Sequence, residues 1–215
     1  SPEQILVTSH KEENWNEEWQ KHFQPVKIGK FIWVAPPWDL PNLREGDILI
    51  QIDPQMAFGT GSHETTQLMI RAMQKFCRER MTVLDAGAGS GILAILASKL
   101  GASRVIGFDI EPEAIENARH NARLNQVASI DFRLGDEQEI PDDKFDLVLA
   151  NINRNTLIRL IPILRQHLKQ NGILIMSGIL LTDEPDLAKV YEDGFNCQER
   201  LTENEWIALV LKKIL

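Results

Sequence analysis

The sequence predicts an α/β fold: a doubly wound, mostly parallel sheet that ends in an antiparallel hairpin. Three observations carry this. Between residues 81 and 215, short apolar strands alternate with helical segments, the pattern of a parallel sheet covered on both faces. A glycine-rich turn, Gly87-Ala88-Gly89-Ser90-Gly91, joins the first of these strands to the first helix. The last two strands lie close together, with Thr202-Glu203-Asn204-Glu205 between them, so the final strand should run antiparallel.

Residues 1–80 read as an irregular lead-in. Asn14 to Phe23 is a short helix whose Trp15, Trp19 and Phe23 recur every four residues and share a face. Lys30–Val34 and Asp47–Ile52 are strands, separated by the proline loop Pro36–Pro41. A helix begins near Ser62 and reaches about Phe76. Residues 81–215 form the main domain. Its strands are Thr82–Asp85, Arg104–Asp109, Ser129–Arg133, Phe145–Ala150, Gly172–Ser177, Phe195–Arg200 and Trp206–Leu211. Its helices are Ile92–Leu100, ended by Gly101, then Pro112–Leu124, Asn155–Lys169 and Asp183–Glu192.

Composition narrows the function. The chain has 215 residues, 43% hydrophobic and 25% charged, which is ordinary for a soluble globular protein. No run of eighteen apolar residues occurs, and the first residues lack the features of a signal peptide. Cys77 and Cys197 are expected as free thiols in a reducing cytoplasm. A formal charge of −8 disfavours a broad grip on a nucleic-acid backbone. It suits a basic protein partner or a small cationic ligand.

The central motif is Val83-Leu84-Asp85-Ala86-Gly87-Ala88-Gly89-Ser90-Gly91-Ile92. An apolar strand ends in a carboxylate, and three glycines at alternate positions lead into a helix. A nicotinamide site wants Gly-x-Gly-x-x-Gly, whereas here Ile92 stands where the third glycine belongs. Asp85 would repel a pyrophosphate but suits the cationic amino group of a methionine moiety. The spacing therefore favours S-adenosylmethionine over NAD, although an ordinary tight turn also uses glycine.

Three further stations add to it. Asp109 ends the next apolar strand, roughly twenty residues beyond the glycines, where an acid can accept both ribose hydroxyls. Glu111 is a weaker candidate, better placed to favour a helix N-terminus. Asn151 ends the fourth strand and carries an amide useful beside an amine nucleophile, though alone it reads as a turn residue capping the next helix. Asp136 is placed either near an adenine or in a solvated loop. Finally, Gly59 and Gly61 bracket a loop before a helix whose first turn collects Ser62, His63, Thr65 and Thr66. The loop reads as a lid with Thr66 facing the ligand, or as a plain capped helix start.

The segment Asp53-Pro54-Gln55-Met56-Ala57-Phe58-Gly59-Thr60-Gly61-Ser62-His63-Glu64-Thr65-Thr66 resembles the Asp-Pro-x-x-Ala-Phe-Gly-Thr-Gly-x-His-x-Thr-Thr signature of ribosomal protein L11 methyltransferases. Leu84–Ile95, Gly107–Ile115 and the aromatic lead-in are similar to the same family. The resemblance implies a seven-stranded, Rossmann-like methyltransferase sheet and S-adenosyl-L-methionine as cofactor. It implies cofactor contacts at Thr66, Gly87, Asp109 and Asn151, to which Asp85 and Gly89 are added from the motif itself. Asn151 is the expected catalytic residue, and no metal is expected. Ser62 and Glu64 depart from the usual threonine and proline, and Asn153-Arg154 depart from the usual Leu-Ala after Asn-Ile. Members commonly carry a small recognition domain ahead of this region, so the chain is expected to start at the linker after it.

The expected activity is methylation of lysine or α-amino groups of L11 by a cytoplasmic monomer that touches neither nucleic acid nor membrane. Asn151 lacks the Asn-Pro-Pro-Tyr context of superfamily members that modify planar amides and bases, which favours a tetrahedral amine. A different protein substrate, an RNA substrate and a non-catalytic nucleotide-binding module remain as alternatives.

Overall fold

A computed structural model describes residues 23–54, 61–127 and 129–214. The predicted helix at 14–23 lies outside these residues apart from Phe23, and so does the loop stretch 55–60. A small sheet comes first, from β1 (Val26–Ile28), β2 (Ile32–Ala35) and β3 (Ile48–Gln51). β1 pairs antiparallel with β2, and β2 pairs parallel with β3. The sequence predicts one strand in the stretch before the proline loop, at 30–34. Gly29 at φ 66° turns the chain, so two strands form around it.

After α1 (Glu64–Phe76), strands and helices alternate: β4 (Thr82–Ala86), α2 (Ile92–Lys99), β5 (Arg104–Asp109), α3 (Pro112–Leu124), β6 (Asp131–Leu134), β7 (Phe145–Asn151), α4 (Arg154–His167), β8 (Leu168–Leu180), α5 (Glu184–Tyr191), β9 (Phe195–Glu203) and β10 (Trp206–Lys213). They build a seven-stranded sheet in the order β6-β5-β4-β7-β8-β10-β9. β6 through β8 are mutually parallel. β10 is inserted antiparallel between β8 and β9, as the short connection predicts. Chain order reverses between β5-β4 and β4-β7, and clefts open at the carboxyl ends of strands at such a point.

The near-continuous apolar strands follow from burial on both faces. Val83, Leu147 and Leu149 face the core shared with α1, α2, α3 and the small sheet. Leu84, Val148 and Ala150 face the core under α4 and α5. The first core holds Ile28, Ile32, Val34 and Ile50 together with Ile92 to Ala97, so apolar packing runs without a break from the lead-in into the main sheet.

The start of β8 departs furthest from its predicted boundary. Helix α4 stops at His167, and β8 begins at once instead of at Gly172. Leu168 pairs with Phe145, then the register shifts before Ile173 meets Leu147. Asn171, at φ 62°, sits in the displaced stretch, and Asn is one of the few residues that enters the left-handed region cheaply.

Candidate active site

The cleft at the reversal point is a cavity of about 370 Å³, in the size range of small-molecule sites. Its floor is the turn between β4 and α2. Gly87, Gly89 and Gly91 all have positive φ, at 74°, 52° and 78°. At Gly87 a Cβ would stand 2.4 Å from Ile152 Cγ2, and at Gly91 it would press on Ala118 Cβ and Cα at 3.0 and 3.1 Å. Glycine is thus required at these two positions by conformation and by space. The Gly87 and Ala88 N–H groups both donate to the Phe108 carbonyl at 3.0 Å, which fastens the turn to β5.

Asp109, at the end of β5, lines the cavity. Its Oδ2 accepts the Gly89 N–H at 2.9 Å and its Oδ1 accepts the Glu111 N–H at 3.1 Å. A carboxylate has about four lone-pair sites, so acceptor capacity remains on both oxygens. Beside it Ile110 is 66% exposed and also lines the cavity. Glu111 lines the cavity too, at the N-cap of α3 with no side-chain cap bond. Asp136 reaches the cavity while its side chain accepts the Gln138 N–H at 2.9 Å.

Across the cleft, β7 delivers Asn151 and α1 delivers Thr66. The Asn151 Nδ2 donates to Thr66 Oγ1 at 3.3 Å. These residues are 85 positions apart in sequence, and the structure brings both to the cavity wall. Asn151 does not cap α4. That role falls to Asn153, whose side chain accepts the Thr156 N–H at 3.0 Å. His63 caps α1 through Nδ1, which accepts the Thr65 N–H at 3.3 Å, and its ring meets Trp206 edge-on at 5.0 Å.

Asp85 is placed differently from the other candidates. Its side chain is fully buried and is absent from the residues lining the cavity. Oδ2 accepts the Ala94 N–H at 3.0 Å, and Oδ1 has no hydrogen-bond partner among the described residues. Burial pushes the carboxyl up to about 8; the Ala94 N–H opposes the shift and the charge of Asp109 adds to it.

Several supports were not singled out from the sequence. Asn117, Asn121 and Asn125, the last of them at the C-cap, recur every four residues along one face of α3. Asn125 bonds both the N–H and the carbonyl of Gln51. Asn121 accepts the Asp53 N–H at 2.9 Å and donates to the Ser90 carbonyl at 2.9 Å. That repeated spacing of a short polar side chain was the available signal. Arg159, paired with Glu137, also lines the cavity and gave no sequence signal. Among the described residues no group of acids, histidines and cysteines fits a metal ion, and the two cysteines are free thiols.

The family model for ribosomal protein L11 methyltransferase (PrmA) matches residues 1–214. An L11 methyltransferase of Caldanaerobacter subterraneus subsp. tengcongensis is 38% identical over 209 residues, which are 97% of this chain and 68% of that protein. One from Lactobacillus johnsonii is 42% identical over 204 residues, 94% of this chain and 65% of that protein. The chain therefore spans about two thirds of the length of these relatives. A solved L11 methylase from Lactobacillus delbrueckii subsp. bulgaricus superposes with a TM-score of 0.84 at 34% identity, over 90% of this chain and all (100%) of that one. An RNA methyltransferase from Salinibacter ruber, solved with S-adenosyl-L-homocysteine, shares the fold at a TM-score of 0.57 and 20% identity, over 68% of this chain and 90% of that one. With a family model matched across the chain and relatives this similar, the chain belongs to the ribosomal protein L11 methyltransferase family.

Proposed function

We propose that this chain is an S-adenosylmethionine-dependent methyltransferase acting on lysine or α-amino groups of ribosomal protein L11. The observation that carries the reading is the cavity where the glycine turn, Asp109 and the Asn151–Thr66 pair converge, in a member of this family.

The residues present fit the cofactor. Gly87 and Gly89 leave bare backbone at the wall for close approach. Asp109 offers lone pairs to two ribose hydroxyls, Ile110 an apolar face to the purine, and Asp136 an acceptor near it. Asp85 is the counter-charge for the amino group, acting from beneath the turn. When bound, S-adenosylmethionine supplies an electrophilic sulfonium methyl, and the protein's share is orientation and exclusion of water. Asn151 engages Thr66 through Nδ2, which leaves its carbonyl oxygen to accept an N–H from the incoming amine. Desolvation on entry lowers the pKa of that amine and frees its lone pair.

We assign residues 1–80 as lead-in and lid, and 81–215 as the methyltransferase domain. The Thr66–Asn151 contact supports this, since it joins the lead-in to the sheet. The same reading places the chain in the cytoplasm, as a monomer without direct contact to nucleic acid or membrane. No helix among the described residues is long and apolar enough to cross a membrane, and the charge of −8 favours a basic protein over a phosphate backbone. The test is incubation of the chain with methyl-labelled cofactor, ribosomal proteins and ribosomal RNA, followed by mass spectrometry. Label on L11 amines is expected. Label on RNA or on another protein alone would overturn the assignment.

A further inference from the structure

Asp85 is the only acid among the described residues whose side chain is sealed from solvent. One oxygen accepts the Ala94 N–H; the other, equally enclosed, has no hydrogen-bond partner among the described residues. The strands on either side bring no cation, because Gly107 on β5 and Leu149 on β7 stand opposite it. From α2 it receives only a backbone N–H. The titratable group whose charge reaches it is Asp109, of the same sign. A carboxylate in such surroundings is costly as an anion, and the cost vanishes on protonation. Yet Asp85 lies two residues before Gly87, Ala88 and Gly89, the backbone that walls the cavity.

We propose that Asp85 is a proton-exchanging counter-ion: protonated in the unliganded chain, it ionises when a ligand's ammonium group settles against the glycine turn, and its proton passes to solvent. The inference rests on the cofactor reading above. Its logic is charge conservation within the interior. The neutral acid becomes an anion only as a cation arrives, so neither charge is buried alone. Two properties follow. Ligands with the amino-acid moiety are selected over nucleoside fragments by a proton-linked step. Affinity for such ligands also rises with pH while Asp85 is protonated in the free chain, by up to about tenfold per unit between pH 6 and 7.

The test is isothermal titration of the whole chain at pH 7 with S-adenosylhomocysteine, whose amino group is already charged. Buffers of different ionisation enthalpy are used, so that the slope of the observed heat counts protons. With a carboxyl pushed up to about 8, release of about 0.9 proton is expected, since the acid form dominates roughly tenfold one unit below its pKa. 5′-Methylthioadenosine, which lacks the amino-acid moiety, should release none, and Asp85→Asn should abolish release with S-adenosylhomocysteine. A slope near zero in the unaltered chain, or equal slopes for both ligands, would overturn the proposal; if Asp85→Asn does not fold, that ligand comparison decides. Failure of S-adenosylhomocysteine to bind at all would instead overturn the cofactor reading beneath it.

Discussion

Replacing Asp109 by alanine should weaken S-adenosylhomocysteine binding by about 100-fold. The carboxylate has two tasks that can be separated. Toward the ligand it offers acceptors to ribose hydroxyls, and a hydrogen bond to a charged group contributes about 1.5–3 kcal/mol. Toward the protein it holds the Gly89 N–H at 2.9 Å and the Glu111 N–H at 3.1 Å. Asp109 is only half-buried, so water can replace it on those donors, and their loss adds on the order of 0.5–1.5 kcal/mol in loosening of the turn. Together these come to about 3 kcal/mol, or about 100-fold at 1.4 kcal/mol per decade. Asp109→Asn should be nearly as damaging, because its NH2 must turn toward one of two backbone donors. Titration calorimetry on variants shown by circular dichroism to be folded measures this. A 2′-deoxyribose analogue should lose affinity for the unaltered chain but not for Asp109→Ala. A folded Asp109→Ala chain binding within threefold of the original would refute the reasoning.

Gly91→Ala should cost about 2–5 kcal/mol of stability. Left-handed backbone costs about 1–2 kcal/mol, and pressing a methyl onto Ala118 adds about 1–3 kcal/mol; a urea-measured loss below about 1 kcal/mol would show that the turn relaxes. Asp85 ordinarily titrates near 3.8, and burial pushes it up to about 8 in the folded chain. Between those values the folded state binds more protons than the unfolded, so unliganded stability falls as pH rises, by up to about 1.4 kcal/mol per unit. Urea titrations at pH 5, 6 and 7 should show this slope relative to Asp85→Asn, and a pH-independent difference between the two chains would contradict it. His63→Ala should cost about 1 kcal/mol through loss of the α1 cap, with His63→Asn restoring most of it in thermal melts. Equal loss in both would transfer the role to the edge contact with Trp206.

What the sequence made legible was whatever local geometry demands of residue type. Left-handed backbone at Gly87, Gly89 and Gly91 favours glycine, and lack of space enforces it at Gly87 and Gly91, so the turn can be read directly. The short link between β9 and β10 forces a hairpin, and two-sided burial forces the long apolar strands. The family resemblance names Thr66 and Asn151 separately as cofactor contacts, but the bond between them was not legible, since nothing local reports a partner 85 residues away. The direction of Asp85 was not legible either. Its place beside the glycines is the same whether the carboxylate faces the ligand or turns under the loop, and only the Ala94 N–H bond decides. The early start of β8 was hidden because Leu168 continues the apolar period of α4 while pairing with Phe145.

The arrangement of these bonds says why the site depends on amides that do not line the cavity as well as on residues that do. The glycine turn has little side chain with which to pack, so its shape is held by polar stitches from outside. Phe108 binds two of its N–H groups, Asp109 a third, and Asn121 holds the Ser90 carbonyl. Asn121 also accepts the N–H of Asp53, the first residue of the family's signature loop. One buried amide on α3 thus ties the turn to the start of that loop, and removing it would leave a backbone donor and an acceptor unpaired at once. The loss per group is about 1–3 kcal/mol, so Asn121 carries more than its position one helix away from the cavity would indicate. Asn125 repeats the device on Gln51, one turn further along. The face of α3 that carries these amides is therefore part of the construction of the site, although no atom of α3 itself is needed to line it.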